Sequence, residues 1–287
     1  MPVISKDVDI YFYNNYHNGD VFYSKEFVKD IKNKTGKTHF YIHNNNPVIL
    51  KDVDIKQIQA PTPSNISTVS KKDNDVYINT WIGQGGKYNK FSCSLKSNYL
   101  LFQDVYKILG IDIEPIGFYI PDVDFDKVDK VNTDKYFEKN KNKTVLICNN
   151  NVLSGQAVNF NFDAIIKHMS NVFSDTTFIF TNNTQLVGDN ITTANNIIGY
   201  DKGNLLEISY LSTKIDTIIG RASGPFCFSH IKENMKDENK KFIVFSNEED
   251  EGKWVPDSES TAKQHWFNRY DKQYVIDSIE KTIKINE

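Results

Sequence analysis

Apolar residues along the chain come in short runs separated by longer amphipathic stretches. This alternation predicts an α/β protein. In the first half, "VDIYFYN" (8–14), "THFYIHN" (38–44) and "DVYINTWIG" (75–83) predict strands. Between the first two, "NGDVFYSKEFVKDIKNKTG" (18–36) places Val21, Phe22, Phe27, Val28 and Ile31 in a helical stripe with Gly36 as a stop. "NYLLFQDVYKILG" (98–110) predicts a further helix ending at glycine. A polar, charge-rich stretch over 118–143 reads as a linker.

The pattern then restarts. "KTVLICNN" (143–150) predicts a buried strand, and "FDAIIKHMSNVF" (162–173) a helix. "TTFIFTNN" (176–183) predicts a strand and "NIIGYD" (196–201) a short strand with a turn. "NLLEISYLSTK" (204–214) predicts a helix, "DTIIG" (216–220) and "KFIVFSN" (241–247) strands, and 259–285 a stretch that is mostly helix. No short repeat underlies this order. The expected architecture is two Rossmann-like domains with mostly parallel sheets facing a central cleft, residues 1–135 and 136–287. Whether the final helix packs back on the first domain is left open. Ligands of such sheets bind outside the carboxyl ends of the strands.

Composition narrows the function classes. At 287 residues, 39% hydrophobic and 25% charged, the chain reads as a globular protein with a sizeable core. A formal net charge of −3 argues against a generic nucleic-acid or membrane-surface binder. The N-terminal residues lack the basic stretch and apolar core of a signal peptide, and no apolar run approaches the ~20 residues of a membrane span. Three distant cysteines, Cys93, Cys148 and Cys227, give no disulfide framework and point to a reducing cytosol. The histidines show no metal-ligand spacing, and the best paired acids, Asp122 and Asp124, fall in the expected linker, so neither a metal nor another cofactor is expected.

Four loops follow predicted strands and carry candidate chemistry. In "YHNGDVFYSK" (16–25), Gly19 permits a close approach and Asp20 stands near a helix start; it is either a cap or a general base for an acceptor hydroxyl. In "CNNNVLSGQAVNFNF" (148–162), Ser154, Gly155 and Gln156 precede a helix whose free N–H groups suit a phosphate. In "DTIIGRASGPFCFSH" (216–230), Ser223 and Gly224 form a small-residue turn before Pro225, a favoured first helical residue. Arg221 in the same turn is one of only two arginines in the chain, and its fork suits a phosphate. In "NTWIGQGGKYN" (79–89), Trp81 and Gln84 either line a sugar-binding loop or belong to a core edge.

"GNLLEISYLSTKIDTIIGRASGPFCFSHI" resembles a segment of heptosyltransferase-like glycosyltransferases of the GT-B fold, and the Gly19-Asp20 loop resembles their N-terminal loop. The resemblance implies a metal-independent glycosyltransferase that moves a sugar from a nucleotide sugar to a glycan or lipid-linked acceptor. Asp20 would be the base. Gly19, Ser154, Gly155, Gln156, Arg221, Ser223 and Gly224 would serve the donor, and Trp81 and Gln84 the acceptor. Ala222 stands where the family turn carries an acid, and His230 comes later than the family's histidine. Two alternatives follow: a non-catalytic carbohydrate- or nucleotide-binding protein on the same scaffold, and a nucleotide-sugar epimerase.

Overall fold

The computed structural model describes residues 8–42, 47–63, 67–83, 88, 95–111, 120–153, 155–199, 205–222, 224–247 and 253–284. The chain divides into two compact units between Asp124 and Phe125.

The first unit contains β1 (Ile10–Tyr13), α1 (Asn18–Tyr23), α2 (Lys25–Thr35), β2 (His39–Ile42), β3 (Lys56–Ile58), β4 (Val69–Lys72), β5 (Asp75–Asn79) and α3 (Leu95–Leu109). The sheet order is β3-β2-β1-β5-β4. All pairings are parallel except β4 with β5, an antiparallel edge. The expected helix over 18–36 breaks in two at Ser24, which is fully buried. Its hydroxyl donates back to the Val21 carbonyl and lies 3.4 Å from the Tyr41 hydroxyl. Such a back-bond competes with the helical ladder. Phe27 of α2 stacks on Phe102 of α3 and meets Phe12 of β1 edge-on, and these rings form the center of the unit's core.

The second unit begins with a short 3₁₀ turn and α4 (Val131–Lys139). The segment expected to be a linker therefore carries a helix. It is held by burial of Thr133 and by a hydrogen bond from the Tyr210 hydroxyl to Asp134. There follow β6 (Lys143–Cys148), α5 (Phe162–Val172), β7 (Thr176–Phe180), β8 (Ile191–Thr193), α6 (Ala194–Ile198) and α7 (Leu205–Thr213). The unit closes with β9 (Thr217–Arg221), α8 (Pro225–Ser229), α9 (Lys232–Met235), β10 (Lys241–Phe245), β11 (Lys263–Phe267) and α10 (Lys272–Lys284). Six strands lie in the order β11-β10-β9-β6-β7-β8, all parallel.

Two sequence expectations change here. The expected strand over 196–201 is mostly the end of a helix, capped by the Thr193 hydroxyl at one end and by left-handed Gly199 at the other. The start of 259–285 is strand β11, which pairs with β10 and buries Trp266. The final helix packs Val275, Ile276 and Ile279 into the second sheet's core with Ile165, Ile166 and Met169 of α5.

Candidate functional site

Each sheet has one point where the chain order reverses, and the loops beyond it lie at the carboxyl ends of two adjacent parallel strands. Ligands of open α/β sheets bind at such points. In the second unit the chain runs from β6 out through β7 and β8, then returns to β9 on β6's other side. In the first unit it runs from β1 to β2 and β3, then crosses to the far edge as β4 and turns back into β5 on β1's other side.

The close approach of β6 and β9 depends on Gly220. A Cβ there would lie 2.6 Å from the Phe226 ring and 2.9 Å from the Cys148 Cβ. Beyond it, Arg221 is 2% exposed. Its Nη1 donates to the Phe160 carbonyl at 2.6 Å, and its Nη2 donates to the carbonyls of Asn149 and Asn150, the latter at 2.9 Å. The Phe160 and Phe162 rings lie 5.4 and 5.0 Å from the guanidinium carbon. Arg221 was expected to face a diphosphate; in the structure its fork holds both ends of the loop between β6 and α5. Burial lowers its pKa from the usual value.

This arrangement has a consequence for the loop. In a trans peptide, C=O and N–H point in opposite directions, and no described peptide is cis. Turning the Asn149 and Asn150 carbonyls inward to Arg221 therefore turns the N–H groups of Asn150 and Asn151 away from it. Side chains complete the frame. Asn149 accepts from the Asn182 N–H at 2.9 Å, and Thr181 donates to Asn150 at 3.0 Å. Asn159 bonds both N–H and C=O of Val152, pinching the loop closed. Gly155, in left-handed conformation with φ +72°, accepts through its carbonyl from the Asn247 amide at 2.7 Å; the Gln156 carbonyl accepts the Asn247 N–H at 2.9 Å.

Gly224 adjoins this loop. Its φ of +54° and ψ of −135° suit glycine alone. A Cβ there would lie 3.4 Å from that of Asn150. The structure thus brings Gly224, Asn150 and the Arg221-held loop together at one switch point. Ser154 and Ser223 lie outside the described residues. His230 is fully buried among Phe226, Phe242 and Trp254, with Nδ1 3.1 Å from the Phe226 carbonyl. Desolvation lowers its pKa to about 4, so it stays neutral.

In the first unit, Gly19 and Asp20 lie in the first turn of α1, whose cap position is His17 with no side-chain bond. Asp20 therefore lies inside the helix, not at its cap. It is half-buried, and among the described residues its carboxylate has no hydrogen-bond or ion-pair partner; desolvation alone acts on it. Desolvation raises its pKa to about 7. A carboxyl group poised there can exchange a proton near neutral pH. Below it, the Tyr41 hydroxyl lies 3.0 Å from the Thr80 hydroxyl and 3.4 Å from that of Ser24, and burial pushes the phenol up to about 12. Trp81 follows β5 and is half-buried, its ring 3.7 Å from that of Tyr16 at 23°. Sequence reasoning did not single out Tyr16; its signal was an aromatic residue three positions past a strand end. Gln84 lies outside the described residues. Asp122 and Asp124 are bound through their N–H groups to Glu26 and Asp52. Among the described residues, no three His, Cys, Asp or Glu side chains gather as metal ligands.

Structural similarity agrees with this frame. A glycosyltransferase of family 9 from Veillonella parvula matches with a TM-score of 0.58 at 10% identity, over 97% of this chain and 89% of its own. The Escherichia coli heptosyltransferase WaaC, solved with ADP, matches with a TM-score of 0.56 at 6% identity, over 97% and 100%. The chain has the GT-B fold. The UDP-GlcNAc 2-epimerase of Neisseria meningitidis, bound to UDP-GlcNAc, shares it with a TM-score of 0.53 at 11% identity, over 96% and 91%. GT-B scaffolds thus carry both transfer and epimerisation, and the chemistry has to be argued from the site. No protein-family model matches the sequence, and no curated protein matches it significantly. No described helix of this GT-B chain is long and apolar enough to cross a membrane.

Proposed function

We propose that the protein is a metal-independent glycosyltransferase that moves a sugar from a nucleotide sugar to an acceptor hydroxyl. The observation that carries this reading is Asp20, an unpartnered carboxylate with a pKa near 7 beyond the end of β1. In the reaction Asp20 takes the proton of the acceptor hydroxyl. The acceptor oxygen bonds to the anomeric carbon, and the bond from that carbon to the diphosphate breaks, leaving its electron pair on the nucleoside diphosphate.

The second unit serves the donor. The N–H groups of Asn150 and Asn151, turned away from Arg221, and the turn at Gly224 face the diphosphate, with Gly155 and Gln156 on the same loop; Ser154 and Ser223 keep the donor-binding role the sequence suggests. Fixed N–H groups aimed at developing charge lower the barrier without reorganising. Arg221 acts through the loop as a positioning residue, and its charge lies behind the same peptide dipoles. Gly19 lets the first turn of α1 approach the ligand, and Trp81 and Gln84 serve a glycan or lipid-linked acceptor. A heptosyltransferase of the same fold solved with ADP supports a nucleotide diphosphate as ligand.

A non-catalytic binding protein is the second reading. It is favoured by buried Ala222 in place of an acid and by the engagement of the Arg221 fork with carbonyls. One experiment separates the two: incubation with nucleotide sugars and an acceptor panel, followed by nucleoside diphosphate release. Release that is lost in Asp20→Asn supports the transferase. Thermal stabilisation by a nucleotide sugar without release supports the binding protein, and no stabilisation by any donor removes the donor site.

A further inference from the structure

Beyond the carboxyl edge of the first sheet the structure mounts two aromatic rings on matched turns. β1 and β5 are adjacent and parallel, with Tyr13 opposite Asn79. Asn14 follows β1, Asn79 ends β5, and each accepts through its side-chain oxygen the N–H two residues on, that of Tyr16 and of Trp81, both at 3.0 Å. These Asx turns are short and fix the direction of the chain. Thr80 ties them together: its N–H donates to the Tyr13 carbonyl at 3.0 Å and its hydroxyl accepts from the Asn14 amide at 3.5 Å. Asn14 and Thr80 are both buried.

The rings of Tyr16 and Trp81 stack on this base at 3.7 Å. A Cβ on Gly83 would lie 2.3 Å from the Trp81 ring, so glycine is required where that ring lies. Tyr16 remains 53% exposed although one of its faces is stacked. Folding gains little by leaving a second aromatic face in water. The His17 ring lies 6.4 Å from that of Tyr16 at 44°, and the amide of Asn15, next in the chain, donates to the Thr62 hydroxyl at 2.8 Å. Asp20 lies four residues beyond Tyr16, in the first turn of α1.

We propose that the exposed face of Tyr16, backed by Trp81, is a platform for the apolar face of an uncharged pyranose ring, making the acceptor a glycan with a neutral sugar at this position. A pyranose presents C–H groups on one face, which match an open aromatic face, and hydroxyls around its rim, which suit the polar side chains of Asn15 and His17 on either side of Tyr16 in the chain. This deepens the transferase reading and rests on it for the word acceptor; the binding of sugar to the platform stands apart from catalysis.

The chain has three tryptophans, and Trp254 and Trp266 are 3% and 5% exposed. Acrylamide quenching of the intact protein therefore reports chiefly on Trp81. The probes are methyl glucoside, methyl galactoside, N-acetylglucosamine and the oligosaccharides maltotriose and lactose, with cyclohexanol as a non-sugar ring control. At least one sugar is expected to protect Trp81 saturably. Tyr16→Ala should weaken that binding about tenfold, as expected from loss of one aromatic contact, and Tyr16→Phe should retain it. No protection by any of the sugars, or equal affinity in Tyr16→Ala with an unchanged urea midpoint, overturns the proposal. Protection without nucleoside diphosphate release from any donor leaves the platform standing and fails the transferase reading. Release with an acceptor KM unchanged in Tyr16→Ala does the reverse.

Discussion

Replacing Arg221 by methionine keeps an unbranched side chain against Phe160 and Phe162 but removes three hydrogen bonds to backbone carbonyls. A hydrogen bond to a charged group contributes roughly 1.5–3 kcal/mol. Burying the guanidinium offsets part of this, as its lowered pKa shows. Asn149, Asn150 and Phe160 are all half-buried, so the freed carbonyls regain part of their water. A net loss of roughly 3 kcal/mol is expected. At a slope of about 1–3 kcal/mol/M in urea, this lowers the midpoint by roughly 1–3 M. The assay is urea unfolding in a Trp81→Phe background, where emission comes from Trp254 and Trp266, both buried in the second unit. Arg221→Lys should lie between, because one ammonium nitrogen cannot span three carbonyls held by a fork. Affinity for ADP, UDP or GDP should fall alongside stability in both variants, because the N–H groups of Asn150 and Asn151 lose their orientation. An unchanged midpoint with a large, salt-dependent loss of nucleotide affinity would refute the reasoning, since it would mean the fork engages phosphate directly.

Three further predictions concern single groups. Turnover should rise as pH increases through about 7, where Asp20 loses its proton, and Asp20→Asn should lose at least about a hundredfold in kcat with a flat profile. Because the folded pKa of Asp20 lies above its unfolded value, the native state binds more protons between about pH 4 and 7. Its stability contribution is present below that window and falls as pH rises through it. Asp20→Asn should abolish this slope in urea titrations and be the more stable protein at pH 8; a steeper slope would refute the burial argument. Gly220→Ala should destabilise the second unit by roughly 1–3 kcal/mol, because Phe226 and Cys148 leave no room for a methyl group. An unchanged melting temperature would contradict the packing of β6 against β9.

The strands that sequence pattern finds most readily here are the ones buried on both faces. "VLIC" and "FIVF" lie in the interior of a parallel sheet, where every position is apolar and the run stands out. β3, with the sequence KQI, and β4, with VSKK, are half-exposed edge strands, and nothing in their composition separates them from a loop. β11, KQHWF, hides because Gln264 turns inward to bond the Val255 carbonyl, so a polar residue occupies a buried position. α4 was lost in the charge of its surroundings, because what stabilises it, the hydroxyl of Tyr210, lies far along the chain.

Local patterns also located the loops beyond β1, β5, β6 and β9, along with the glycines and the carboxylate they carry. A strand followed by Gly, Asn or Asp before a helix is a statement about neighbouring residues. The roles of the side chains were decided by partners distant in sequence. Arg221 reads as an open phosphate fork until folding brings it to carbonyls 61 to 72 residues away. Asp20 reads as either a cap or a base until it is seen inside the helix, where burial without a partner lifts its pKa. Tyr16 gains meaning only when the pairing of β1 with β5 places it on Trp81. Sequence by itself determines the periodicity, the turns and hence the alternating α/β order, because these depend on local backbone and burial preferences. Which donors are satisfied, which charge is desolvated and which ring is left with a face in water are decided by tertiary structure, because each is settled by atoms brought together from opposite sides of a sheet's switch point.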